Sequence, residues 1–123
     1  MYSDIMIDHL ANPRNQGELE NPDGVGIAHT LMCHDEIVVT IQVKNDIIQD
    51  VRFKAFGCGA AIATGSVATE LIKGKHIDDA LKITGRHLIE AMGGVPENKA
   101  KCTLVAHDAF RAAVEDFRKK VQV

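Results

Sequence analysis

The chain has 123 residues, 46% of them apolar and 25% charged, with a formal net charge of −3. That length suits one ordinary domain, residues 1–123, and the apolar share is too high for a disordered chain. The mildly acidic balance gives no reason to expect a nucleic-acid or membrane surface. No apolar run nears the ~20 residues of a membrane span and no basic leader opens the sequence, so a soluble, cytoplasmic protein is expected.

Residues 2–11 read as an amphipathic helix, with Ser3 as its cap and Ile5, Met6, His9 and Leu10 on one side. Asn12-Pro13-Arg14-Asn15 ends it, because proline biases its predecessor away from helix. A polar loop runs to about residue 24. Three strands follow: Val25 to Met32, Glu36 to Lys44 and Ile47 to Phe56. The second is rich in β-branched residues and alternates at Val39, Ile41 and Val43; the third alternates at Val51, Phe53 and Ala55. Short joins at Cys33-His34-Asp35 and Asn45-Asp46 predict an antiparallel meander.

The second half reads as helical. Gly59 to Lys73 is stopped by Gly74, Ile77 to Ile83 carries Asp78 and Asp79 in its first turn, and Arg86 to Met92 ends at Gly93-Gly94. A last helix from about Lys101 to Lys120 places Val105, Ala109, Ala113 (or Val114) and Phe117 at helical spacing, with basic residues in its final turn. Strands first and helices after predict an α+β fold: a three-stranded antiparallel sheet with helices packed on one face and a metal site at one tip.

The chemistry is carried by three cysteines, 25 and 44 residues apart. An odd number forms no closed disulfide framework. Each falls at the end of an expected element: Cys33 in the turn between the first two strands, Cys58 where the third strand meets a helix, Cys102 in the first turn of the last helix. Ligands gather at such ends, whereas a cysteine that only fills a core usually lies inside an element. Cys58 is flanked by Gly57 and Gly59, which leave backbone N–H groups uncovered. A helix N-terminus adds orphan donors that stabilise a thiolate and can bond to inorganic sulfide.

Asp35 lies two residues after Cys33, so an extended segment turns both to the same side. His34 is the rival ligand, although it points the other way. His9, His29, His76, His87 and His107 read as surface or packing residues, and His107 falls on a different helix face from Cys102. Soft thiolates select zinc, Cu(I) or iron–sulfur clusters. The paired C-x₂-C spacing of structural zinc sites is missing, and so are the four closely spaced cysteines of a ferredoxin. Three thiolates with one hard carboxylate hold a cluster incompletely, which suits a carrier better than a store.

These residues resemble the U-type iron–sulfur cluster scaffolds, the IscU proteins and the N-terminal domain of NifU, nearly from end to end. The resemblance is carried by Tyr2-Ser3-Asp4, Asp8-His9, Asn12-Pro13-Arg14-Asn15, Cys33-x-Asp35 and Phe53-Lys54-x-Phe56-Gly57-Cys58-Gly59-x-Ala61-Ile62-Ala63. It continues in Lys73-Gly74-Lys75, Asp79-Ala80-Leu81, Cys102-x-Leu104 and Ala106-x-Asp108-Ala109. It implies a non-enzymatic scaffold that docks on a cysteine desulfurase through the segment around Tyr2 and receives persulfide sulfur. Such a scaffold assembles a [2Fe–2S] or [4Fe–4S] cluster with ferrous iron and passes it to apo iron–sulfur proteins. Cys33, Cys58 and Cys102 are then sulfur acceptors and cluster ligands, and Asp35 keeps the cluster labile.

Three positions depart from the family. Lys101 stands where relatives have His before the third cysteine, which leaves the fourth ligand open among Asp35, His34, water and a partner's cysteine. His34 replaces a usual Gly. Val95-Pro96-Glu97-Asn98-Lys99 replaces Leu-Pro-Pro-Val-Lys, which leaves an Hsp70-type chaperone partner open. The alternative reading is a zinc-dependent sulfurtransferase like the related SufU proteins, with zinc in the cluster-free form. Those relatives carry an insertion between the second and third cysteines that is missing here.

Overall fold

The structure, a computed structural model, describes residues 2–30, 35–97 and 100–121, the Lys101 side chain excepted. In chain order it runs helix α1 (Asp4–Ala11), strands β1 (Gly24–His29), β2 (Glu36–Lys44) and β3 (Ile47–Phe56), then helices α2 (Gly59–Ile72), α3 (Ile77–Leu81), α4 (Gly85–Ala91) and α5 (Ala100–Val121). The sheet order is β1-β2-β3 and both pairs are antiparallel. The α+β meander expected from the sequence is what forms. Among the described residues no helix is long and apolar enough to cross a membrane.

The turn between β2 and β3 follows directly from its residues. Asn45 and Asp46 both take positive φ, 54° and 63°, as a two-residue hairpin of matching twist requires. On the helix-facing side, Ile37, Val39 and Ile41 of β2 and Val51 and Phe53 of β3 are buried. Each such side chain contributes ~1.5–3 kcal/mol relative to exposure. A register shift at Gln42/Val43 switches the alternation of β3, so Ile48 also turns inward and is fully buried.

Helices α2 and α5 cover this face. Val105, Ala106, Ala109, Phe110, Ala113 and Val114 form the buried side of α5, so the alternatives Ala113 and Val114 are both inside. Gly24 and Gly26 lie on the same face, opposite Ile41 and Val39, and α5 passes over them backbone to backbone. Asp116 of α5 accepts the Val25 N–H at 2.9 Å and pairs with Lys120 at 3.1 Å. The Val25 bond, more than the lysine, holds its carboxyl below the usual carboxylate range.

The opposite face is partly covered by the polar segment before β1. Gln16 forms a parallel bridge with Phe53 on the outer edge of β3, and the Leu19 N–H donates to Thr40 Oγ1 at 3.1 Å, on the face away from the helices. Thr40 is accordingly buried.

Ser3 caps α1, as expected, accepting the Met6 N–H, and its hydroxyl also donates to the Met92 carbonyl. The packed side of α1 is narrower than its apolar pattern suggests. Met6 and His9 are buried, whereas Ile5 leans toward Gly93 and stays 44% exposed. The expected end of the first strand at Leu31–Met32 lies outside the described residues, as do Cys33, His34, Asn98 and Lys99.

Candidate metal centre

Three elements end together at one end of the sheet. Asp35 immediately precedes β2, and its carbonyl accepts the Thr30 N–H at 2.9 Å, closing the β1–β2 ladder. Cys58 is the N-cap of α2, with extended φ and ψ of −77° and 163°. Cys102 is in the first turn of α5. A carboxylate oxygen of Asp35 and the sulfurs of Cys58 and Cys102 all lie within 4.8 Å of one another. Residues spread over half the sequence thus form one donor group at the tip that the element ends predicted.

Burial is unequal within the group. Asp35 and Cys102 are fully buried, and Cys58 is half-exposed. Behind Cys102 stand Met6, Ala60, Ala63, Val67 and Met92, an apolar wall that keeps water from that side. Cys58 is therefore the thiol through which this group meets solvent.

A buried carboxylate is unfavourable unless it is bonded. Asp35 Oδ1 accepts the Cys58 backbone N–H at 2.7 Å, and Oδ2 lies 3.4 Å from Cys58 Sγ. One oxygen is thus held by main chain while the other faces the donor group. Gly57 makes this approach geometrically feasible: with φ +141°, its α-carbon sits directly against Asp35. Beyond Cys58, the first N–H groups of α2 have no partner within the helix, so the sulfur sits at a positive helix end.

The donor set is two soft sulfurs and one hard oxygen, which fits iron, an iron–sulfur cluster or zinc better than magnesium or calcium. Cys33 immediately precedes this segment but, with His34, lies outside the described residues. His107 lines a small cavity with Ile83 and Phe110 and takes no part in the donor group. His76 and His87 cap α3 and α4.

The model of the NifU-like N terminal domain family matches residues 1–123 of this chain. The chain belongs to that family. It is 49% identical over 98% of its length to iron–sulfur cluster assembly scaffold protein IscU 1 of Archaeoglobus fulgidus, covering 78% of that protein. It is 44% identical over 97% of its length to the scaffold protein IscU of Aquifex aeolicus, covering 77% of it. Against the longer nitrogen fixation protein NifU of Azotobacter chroococcum it is 38% identical, covering 95% of this chain and 38% of that one.

Solved structures agree on the fold. An N-terminal NifU-like protein of Brucella abortus superposes with a TM-score of 0.82 at 18% identity, covering 96% of this chain and 94% of that one. A putative assembly scaffold for the SUF system from Fervidobacterium islandicum gives 0.80 at 24% identity, covering 92% and 96%.

In this NifU-like domain, the sequence pattern missed two things around the site. One is Gly57, whose flanking position was legible but whose contact with Asp35 was not. The other is the network that seats α1 on α2. His9 Nδ1 lies 2.6 Å from Ser66 Oγ, which also accepts the Arg14 backbone N–H at 2.8 Å. His9 Nε2 is 3.6 Å from Glu70, and the Arg14 guanidinium reaches Asp8 at 2.6 Å.

Burial, reinforced by the Arg14 charge, lowers the His9 pKa below the ordinary imidazole value of 6.5. The folded state then binds fewer protons at His9 than the unfolded chain, so stability falls as pH drops below about 6.5. The expected result is a melting midpoint that declines between about pH 7.5 and 5.5, with the His9→Gln variant declining less. Parallel curves for the two proteins would remove His9 from the explanation.

Proposed function

We propose that this chain, as one domain over residues 1–123, is a scaffold on which an iron–sulfur cluster is assembled and from which it is handed to apo-proteins. The cluster is cargo, built from ferrous iron and sulfur supplied by a cysteine desulfurase. The observation that carries this reading is the donor group itself: Asp35, Cys58 and Cys102 gathered within 4.8 Å, buried on two sides and open at Cys58. Close relatives named as assembly scaffolds support the same assignment.

In this scheme Cys33, Cys58 and Cys102 supply thiolate ligands and Asp35 Oδ2 supplies the fourth. Cys58, the accessible sulfur, takes the incoming sulfur first. Its thiolate attacks the outer sulfur of the donor's persulfide, the donor's S–S bond breaks, the donor leaves as thiolate, and Cys58 becomes the persulfide. Reducing that sulfur to sulfide takes two electrons from a separate reductant. A carboxylate is a weaker partner for a sulfide-rich cluster than a fourth thiolate, so the cluster is held loosely enough to leave. The protein acts as a carrier rather than a turnover enzyme, in the cytoplasm, without nucleic-acid or membrane partners.

The test is anaerobic reconstitution with ferrous iron, cysteine and a cysteine desulfurase, followed by visible absorption and Mössbauer spectra and then by addition of an apo-ferredoxin. A chromophore that forms on the chain and moves to the ferredoxin is the expected result, and its spectrum distinguishes [2Fe–2S] from [4Fe–4S]. The same donors also suit a four-coordinate zinc site. Stoichiometric zinc and a persulfide on Cys58, with no chromophore, would assign the sulfurtransferase role instead.

A further inference from the structure

We propose that Gly57 is a positioning residue: its missing side chain is the seat of the Asp35 carboxylate, and Asp35 reaches the metal centre only because position 57 is glycine. The proposal rests on the scaffold reading of the centre and adds to it what places the oxygen ligand. It stands on three observations. A Cβ at position 57 would overlap Asp35 Oδ1 and come within 2.8 Å of both its Cα and its Cγ. The Cys58 N–H, one bond further along the chain, holds Oδ1 at 2.7 Å. The φ of +141° at Gly57 aims that N–H into the buried carboxylate.

The atoms in the way leave little room to adjust. Asp35 is fully buried and its own carbonyl is tied to Thr30, so its main chain is held by the β1–β2 ladder. A side chain at 57 therefore expels the carboxylate, while the α2 residues behind Cys58 are untouched. The sulfurs stay and the oxygen leaves. In this arrangement the identity of residue 57 sets whether the centre has a mixed oxygen–sulfur or an all-sulfur protein donor set.

The consequence is coupling between two positions. Gly57→Ala and Asp35→Ala should produce the same centre, and the double variant should resemble either single one. Cobalt(II) alone is a suitable probe, because its sulfur charge-transfer bands report the thiolates and its d–d bands report the whole donor set. Both single variants are expected to keep the charge-transfer bands and to share one displaced d–d spectrum. After reconstitution, both should lose the cluster to a chelator about tenfold more slowly than wild type, the scale on which groups around a metal alter its retention.

A merely structural role for Gly57 would weaken the thiolate bands and leave the d–d energies in place. That result, additive effects in the double variant, or a Gly57→Ala cluster as labile as wild type would overturn the proposal. If Gly57→Ala does not fold, Asp35→Gly/Gly57→Ala decides the matter, since removing the overlapped carboxylate should restore folding; continued failure counts against the seat. Wild type that binds cobalt through its thiolates but never forms a cluster would overturn the scaffold reading and leave the Gly57 comparison intact. Wild type without cobalt–thiolate bands would overturn both.

Discussion

Cys102→Ala should abolish cluster retention while leaving the domain folded. Cys102 is fully buried among Met6, Ala60, Ala63, Val67 and Met92, all of which tolerate a methyl in place of a thiol. The change removes one sulfur, with a packing loss of about 1 kcal/mol, the scale of one buried methylene. Against the ~5–15 kcal/mol stability of an ordinary domain, that leaves the native state dominant. The loss at the centre is of another order. Within the described residues the donor group would fall from two sulfurs to one, and a bound cluster cannot replace a buried ligand with solvent behind an apolar wall. Reconstituted chromophore should fall below about a tenth of wild type, with an unchanged far-ultraviolet circular dichroism spectrum. A Cys102→Ala protein that assembles and holds a normal cluster would show that Cys102 is packing alone, whatever its position.

The largest stability effect is expected from a substitution that looks harmless in the sequence. Gly→Ala within a strand ordinarily stabilises by a few tenths of a kcal/mol to about 1 kcal/mol, because it narrows the unfolded ensemble. At Gly26 the sign should reverse. A Cβ there would run into the Ala109 carbonyl oxygen and the Ala113 nitrogen, which belong to the backbone of α5 and cannot turn aside. The helix must lift from β1, opening the contact that buries Ala109 and Ala113. Overpacking of this kind costs about 3 kcal/mol, at the upper end of the usual range. That corresponds to a fall of about 10 °C in melting midpoint for a domain of this size. Ile27→Val, one residue along and on the exposed side, should shift it by only a degree or two on the same scale. Equal midpoints for Gly26→Ala and wild type would mean that α5 moves more freely than its packing implies.

These two predictions draw on different parts of the chain's information. Cys102 stood out in the sequence because its type and its place at a helix start both carry chemistry. Gly26 did not, since a glycine in a strand reads as a weak point rather than as a site of close approach. The strands β2 and β3 were legible to the residue, since β-branched alternation and a two-residue Asn-Asp turn are purely local signals. The first strand was not. Its expected span of 25–32 begins one residue late and runs past the His29 end, because the two glycines that start it are held there by α5. The Ile48 side chain was hidden for a related reason, as a register shift depends on the partner strand and not on local alternation.

The sequence alone determined the fold class, the element order, the three cysteines at element ends and Asp35 beside the first of them. Those follow from side-chain periodicity, turn chemistry and the reactivity of thiols, all of which are local or compositional. Only the tertiary structure decided that Asp35, Cys58 and Cys102 share one buried corner, that Cys58 alone of these opens to solvent, and that Gly57 leaves the space the carboxylate occupies. Those facts depend on how closely β2, α2 and α5 approach one another. That distance is set by the volumes of side chains far apart in the chain, and no short stretch of sequence carries it.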